Sequence, residues 1–263
     1  MCGLRRWLIE PGVRGVDADS AEFTAAHRRV LQTKFMLRQL FEKFYHECRA
    51  MDIHYFGDCP GTRLEIGSGS SFIKEVYPDV ITSDIKQLPF VDCVLRAEQM
   101  PFPDNSLRAI YAINVFHHIP DPRAFFRELL RTLHPGGGVI FIEPYYGALA
   151  RQLFRRMHAS EGFDITARNW EALSGAGPMS QANQALSYMV FKRDLTQFER
   201  EYPGLELMMD RPHTHLSYLV SGGVNFRQLV PDSLVPLVML AERLLNPFVL
   251  WLALQHTIVL CKK

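Results

Sequence analysis

The chain has 263 residues, 48% hydrophobic and 22% charged, enough apolar content for a full α/β core and too much for a disordered chain. A net charge of +1 argues against a dedicated nucleic-acid binder, which needs a basic surplus. The five cysteines (Cys2, Cys48, Cys59, Cys93, Cys261) are scattered without a Cys-x-x-Cys spacing, so no disulfide framework and no metal are expected, and a reduced, cytoplasmic setting is.

The N-terminal Met-Cys-Gly-Leu-Arg-Arg-Trp lacks the apolar run of a secretory signal. Asp19-x-x-Glu22 predicts a capping box that opens a helix over 19–51. Leu37, Phe41, Phe44, Cys48 and Met51 form its apolar stripe. Arg28, Arg29, Lys34, Arg38, Lys43 and Arg49 read either as a solvated face or as a surface covering a ligand site. Residues 1–60 are therefore a helical cap, ended by Pro60-Gly61.

Strands follow at Arg63–Ile66, Val80–Ser83, Val91–Leu95, Ala109–Ile113 and Val139–Ile142, with a short helix around Phe72–Val76. The fifth run is apolar without alternation, as in a central parallel strand covered on both faces. Before it lies a helix with Asp121 as N-cap, Pro122 at its first position and Phe125, Phe126, Leu129, Leu130 and Leu133 in one stripe. This alternation makes 61–144 a doubly wound, mostly parallel α/β core. Residues 145–204 read as an insertion or lid, including the loop Ser174–Pro178. Residues 205–263 supply the last strands, around 205–210 and His256–Cys261, with a helical insertion between.

Within the core, residues 64–71 read Leu-Glu-Ile-Gly-Ser-Gly-Ser-Ser, and Asp84 ends the next strand. Glycines 67 and 69 permit a tight turn with no Cβ between backbone and ligand. A carboxylate at 84 can accept both hydroxyls of a ribose. A nicotinamide dinucleotide would want a third glycine where bulky Phe72 stands.

Several ordered blocks then carry a resemblance: Leu64–Gly69, Thr82-Ser-Asp84, Ala97–Ser106 (Ala-Glu-Gln-Met-Pro-Phe-Pro-Asp-Asn-Ser), Asn114–Asp121 (Asn-Val-Phe-His-His-Ile-Pro-Asp) and Leu130-x-x-Leu-His-Pro-Gly-Gly137. Together they resemble class I S-adenosylmethionine-dependent methyltransferases, above all the small-molecule branch related to quinone biosynthesis (methyltransferase type 11). The resemblance implies a Rossmann-like seven-stranded sheet whose last strand is antiparallel, with insertions after strands 5 and 6. It implies S-adenosylmethionine as cofactor and methyl transfer to a small-molecule or lipid-linked acceptor by in-line attack on the sulfonium methyl. By position, Glu65 and the backbone of Gly67, Ser68 and Gly69 would hold the methionine end. Asp84 would take the ribose and Ile85 the adenine face, with Ala97 and Glu98 at the adenine edge. Asn114 and Phe116 would lie near the methyl. Ser71 departs from relatives that carry a third glycine there. A non-catalytic scaffold of the same fold, or a nicotinamide-dependent oxidoreductase, are the competing readings.

Other residues are weighed on chemistry. His117 and His118 are adjacent; on a strand extension only one would reach a substrate, and His118 is the candidate base. Tyr145, Tyr146 and Trp170 are candidates for the acceptor wall, as is Asn183. His213-x-His215 would put two imidazoles on one side of a strand, but no third ligand accompanies them. The charge-free run 244–261 reads as a buried helix and a core strand. A peripheral membrane contact by Leu234–Leu254 is the alternative to its packing on the core.

Overall fold

The structure, a computed structural model, describes residues 7–157, 162–171 and 181–263. Its centre is a seven-stranded sheet in the order β3-β2-β1-β4-β5-β7-β6. The strands are β1 (Thr62–Ile66), β2 (Val80–Asp84), β3 (Cys93–Val94), β4 (Leu107–Ile113), β5 (Leu133–Pro144), β6 (Leu205–His213) and β7 (Gln255–Lys262). The first five pair in parallel, and β7 runs antiparallel between β5 and β6. Helices cover both faces, which is the mostly parallel three-layer fold expected.

Alternation along β4 and β5 shows why the stretches 109–113 and 139–142 carry no charged residue. Ile110, Ala112, Val139 and Phe141 pack on one side with Phe125, Phe126 and Leu129. Ala109, Tyr111, Ile140 and Ile142 pack on the other with Leu37, Leu40 and Phe44. A strand buried on both faces needs apolar side chains at every position.

The cap is two helices, not one: α1 (Ala21–Thr33) and α2 (Phe35–Phe56). The chain becomes extended at Lys34, whose ammonium pairs with Glu10 at 3.0 Å and meets the carbonyls of Gly223 and Phe226. Ser20 caps α1, its Oγ accepting from the Phe23 N–H at 3.1 Å, so the capping box at Asp19 does not form. Most of the cap's paired cations meet acids of the first strand–helix unit: Arg38 pairs with Glu75 and Arg49 with Asp79. Asp52 pins α2 to the sheet, accepting from Arg63 and Arg108 (2.6 Å each) and from Tyr111 (2.8 Å). Buried without those donors, its charge would be strongly destabilising.

After β1 come a single helical turn, α3 (Ile73–Val76), and, past β4, α4 (Pro122–Thr132), capped by Asp121 Oδ1 accepting from the Ala124 N–H at 2.9 Å. Beyond β5 lie α5 (Ala148–Met157), a turn at Leu186–Tyr188 that widens to π geometry over Met189–Arg193, and α6 (Leu195–Glu201). Between β6 and β7 come α7 (Leu216–Ser221), α8 (Val235–Leu245) and α9 (Val249–Leu252). The loop 174–178 lies outside the described residues.

The run 244–261 does not behave as one buried unit. Residues 253–260 are core, whereas Leu244, Phe248, Leu250 and Trp251 are exposed. The expectation of a buried helix there is therefore corrected: only one side of the segment finds a partner in the fold.

Candidate functional site

The loop after β1 is shaped by what stands beside it. Gly67 has φ +66°, a conformation side chains rarely adopt, and Val115 occupies the space where its Cβ would lie. A Cβ on Gly69 would come within 2.7 Å of Asp84 Oδ2 and 2.8 Å of Thr24 Cγ2. The Gly69 N–H donates to Asp84 Oδ2 at 3.0 Å and the Lys86 N–H to Oδ1 at 2.9 Å. The ends of β1 and β2 are thus tied together. Burial raises the Asp84 pKa, partly offset by these two donors.

Beneath the loop, Glu65 is buried. Its Oε1 accepts from the Ser71 hydroxyl at 3.0 Å, and its Oε2 has no hydrogen-bond partner. Burial pushes its pKa up to about 7. Ser71, the departure from the glycine pattern, has a role of its own. Its Oγ also lies 3.0 Å from Tyr45 Oη of α2 and accepts from the Ile73 N–H at 3.1 Å. Ser68 is buried as well, its Oγ donating to the Glu65 carbonyl and accepting from the Ser83 N–H (3.1 Å each).

At the carboxyl edge of these strands lies a cavity of about 510 Å³. Gly67, Gly69, Asp84, Ile85, Ala97, Glu98 and Asn114 line it, with both His117 and His118. The two histidines share a 3₁₀ turn, Phe116–His118, in which neighbours are not on opposite faces; the expectation that only one could reach the cavity does not hold. Glu65 and Ser68 support the lining from below. Phe116 instead faces the core, its ring 5.0 Å from Phe141 and 5.6 Å from Phe191. Trp170 is core too, against Phe126, with its Nε1–H donating to Asp194 at 2.8 Å. Tyr145 sits beside His256, and Tyr146 stacks on Tyr188 at 4.2 Å; neither is among the lining residues. Asn183 braces the chain at Asp164 and donates its N–H to the His117 carbonyl at 3.0 Å.

Several lining residues carry no local sequence signal: Thr24, His27 and Phe41 from the cap, and Tyr218, Asn225 and Gln255 from the last quarter of the chain. Glu143 was legible in principle. It ends β5, as Glu65 and Asp84 stand at the ends of β1 and β2. Its Oε1 accepts from the Val115 and Phe116 N–H groups at 2.8 Å each, and its Oε2 meets His117 Nδ1 at 2.6 Å. These bonds hold the turn that Asn114 opens at φ +55°. Burial alone would raise the Glu143 pKa; His117 and the N–H donors outweigh it and hold the carboxyl below its usual range. An ionised Glu143 only accepts, so it selects the His117 tautomer with the proton on Nδ1.

Among the described residues no cluster could hold a metal ion. His213 is tied to Thr214 and Thr257 at 2.7 Å each, and burial pushes its pKa down to about 4. His215 falls beyond the end of β6, so the two imidazoles do not share a strand face.

Residues 64–141 match the sequence model of the family described as Methyltransferase domain. A stretch of 39 residues, 15% of this chain, is 51% identical to Sterol 24-C-methyltransferase erg6 of Aspergillus fumigatus. Over 160 residues, 51% of this chain, it is 27% identical to an uncharacterised methyltransferase of Mycobacterium leprae. The chain spans 10% of the length of the fungal protein and 59% of the mycobacterial one. Among solved structures, a SAM-dependent methyltransferase from Archaeoglobus fulgidus superposes with a TM-score of 0.46 at 16% identity, over 84% of this chain and 94% of that one. The family match spans the glycine loop and the strands from β1 into β5, so residues 64–141 of this chain are similar to a methyltransferase domain.

Proposed function

We propose that the protein transfers a methyl group from S-adenosylmethionine to a small-molecule or lipid-linked acceptor, as in the small-molecule branch of the superfamily. The observation that carries this reading is Asp84, bonded back to the Gly69 N–H on the rim of the 510 Å³ cavity. Three features fit the cofactor. Asp84 offers oxygens at the lining for ribose hydroxyls. Gly67 and Gly69 keep the backbone open where side chains would intrude. Glu65 Oε2, buried and unpaired, is an acceptor for the ammonium of the methionine end. Ile85 and Ala97 would flank the adenine, with Glu98 accepting from its amine.

When bound, the cofactor supplies a methyl on a positively charged sulfur, open to in-line attack. The protein's part is to orient the acceptor and exclude water. For a hydroxyl acceptor, His117 stands beside His118 as a candidate base. Glu143 holds its Nδ1–H, so Nε2 is the basic nitrogen, and the carboxylate stabilises the imidazolium that forms. A base so placed adds about 10²–10⁴-fold.

Calorimetry tests the cofactor. Micromolar binding of S-adenosylhomocysteine and none of NAD is the expected result; the reverse overturns the reading. Label uptake from methyl-labelled cofactor into metabolite and lipid fractions then identifies the acceptor. Saturable cofactor binding without transfer to any fraction would favour a scaffold role.

A further inference from the structure

The segment from Asp232 to Leu252 has two apolar sides and one covering. Val235 and Val238 of α8 pack on Met36, with Leu216 and Val220 of α7 against them. Glu242, the acid on the same face, is buried and accepts from the Ser217 N–H at 2.6 Å. The opposite side carries Leu237 (60% exposed), Leu240 (51%), Leu244 (71%), Phe248 (58%), Leu250 (61%) and Trp251 (69%). The segment is 21 residues long, its most apolar 18-residue stretch has a mean hydropathy of 1.5, and by length and composition it could cross a bilayer. A contiguous apolar ridge of this kind marks a contact surface rather than scattered exposed leucines.

Two observations say what covers it. The first is charge. α9 packs on α5, which carries Arg151, Arg155 and Arg156, all exposed, and no acid. Arg243 is exposed on the ridge itself. Cations bordering leucines and a tryptophan are the composition of a surface that sits in an anionic lipid interface. The second is attachment. Helical geometry changes to a 3₁₀ turn at Asn246–Phe248, and the chain enters β7 at Gln255, next to β5 in the sheet. With the sheet intact the segment is anchored at its end and on one face, which fits a helix lying along a surface rather than crossing a bilayer.

We infer that α8 and α9, with the arginines of α5, form a docking surface for the anionic face of a lipid bilayer. α5 also reaches the cavity, since Phe154 belongs to its lining. A smaller hollow lined by Leu153, Phe154, Tyr218, Leu219 and Leu254 adjoins it there. Docking would therefore bring the apolar flank of the cavity to the bilayer, where a lipophilic acceptor resides. The docking itself stands on the surface alone and is independent of the methyl-transfer reading.

The test is co-sedimentation of the full chain with vesicles of phosphatidylcholine alone and of phosphatidylcholine with phosphatidylglycerol at a three-to-one ratio. Binding to the anionic vesicles is expected, at least tenfold weaker for the double variant Leu244→Glu/Trp251→Glu. The triple variant Arg151→Gln/Arg155→Gln/Arg156→Gln should lose the preference for phosphatidylglycerol. On vesicles, tryptophan emission should shift to the blue in the parent and not in Trp251→Phe. Unchanged thermal melting of each variant shows that folding is intact. Equal affinity for both vesicles, or for neither, overturns the proposal. So does a dimer abolished by Leu244→Glu/Trp251→Glu, which would assign the face to a second copy of the chain.

Discussion

Two parts of this molecule solve the problem of an apolar segment in opposite ways. β5 is apolar at 139–142, and each residue meets a covering layer, because the strand has helices on both sides of it. α8 and α9 are largely apolar too, yet they are covered on one side alone, by Met36, α7 and α5. Hydropathy alone does not separate these cases. The difference lies in the number of layers that the fold places around each segment.

That contrast can be broken at its strong end first. Glu143 holds two backbone N–H groups and an imidazole inside the covered region, so Glu143→Ala should cost about 3–5 kcal/mol in chemical denaturation. A loss below about 1 kcal/mol would mean that the turn at 114–118 is held by something else. Next is Asp84→Ala, which removes the proposed ribose acceptor. It should weaken S-adenosylhomocysteine roughly tenfold to a hundredfold by calorimetry. Parent-like affinity would place the ribose elsewhere.

Glu65 gives a smaller, pH-dependent effect. Its pKa in the fold is about 7, above the usual carboxylate value of 4.5, so the proton is held more tightly folded than unfolded. Without cofactor, stability therefore falls as pH rises from about 4.5 to about 7. Cofactor affinity should move the other way, rising several-fold from pH 6 to pH 8 as an ionised Glu65 becomes available to an ammonium. Glu65→Gln should flatten that rise. The smallest effect is expected at the weak end of the comparison. Leu244→Ser, on the uncovered ridge, should change stability by about 0.5 kcal/mol or less. A loss of 2 kcal/mol or more would show that the ridge packs on protein after all.

The contrast also explains which features were legible. Strands β1, β2 and β4, the helix at 122–132 and the glycine loop are local: their signals are periodicity, a cap and a turn. The break at Lys34 was not, because its cause is a set of partners at Glu10, Gly223 and Phe226, distant in sequence. Cavity residues contributed by the cap and by the stretch after β6 were hidden for the same reason. Phe116 and Trp170 were placed by position and chemistry. Both are large aromatics, and the core between α4 and the 186–193 turn claimed them. The ridge was misread in part because a charge-free run looks the same whether its far side meets protein or something else.

One feature bears on how the molecule comes together. β6 is hydrogen-bonded in the sheet only through β7, which enters as a wedge between it and β5. Gln255, the first residue of that wedge, also donates from Nε2 to Asn114 Oδ1 at 3.2 Å, at the lip of the cavity. Until residues 255–262 have been synthesised, β6 has no strand to pair with and Asn114 lacks this support. Assembly of the cavity is thus coupled to the slow, long-range closure of the sheet.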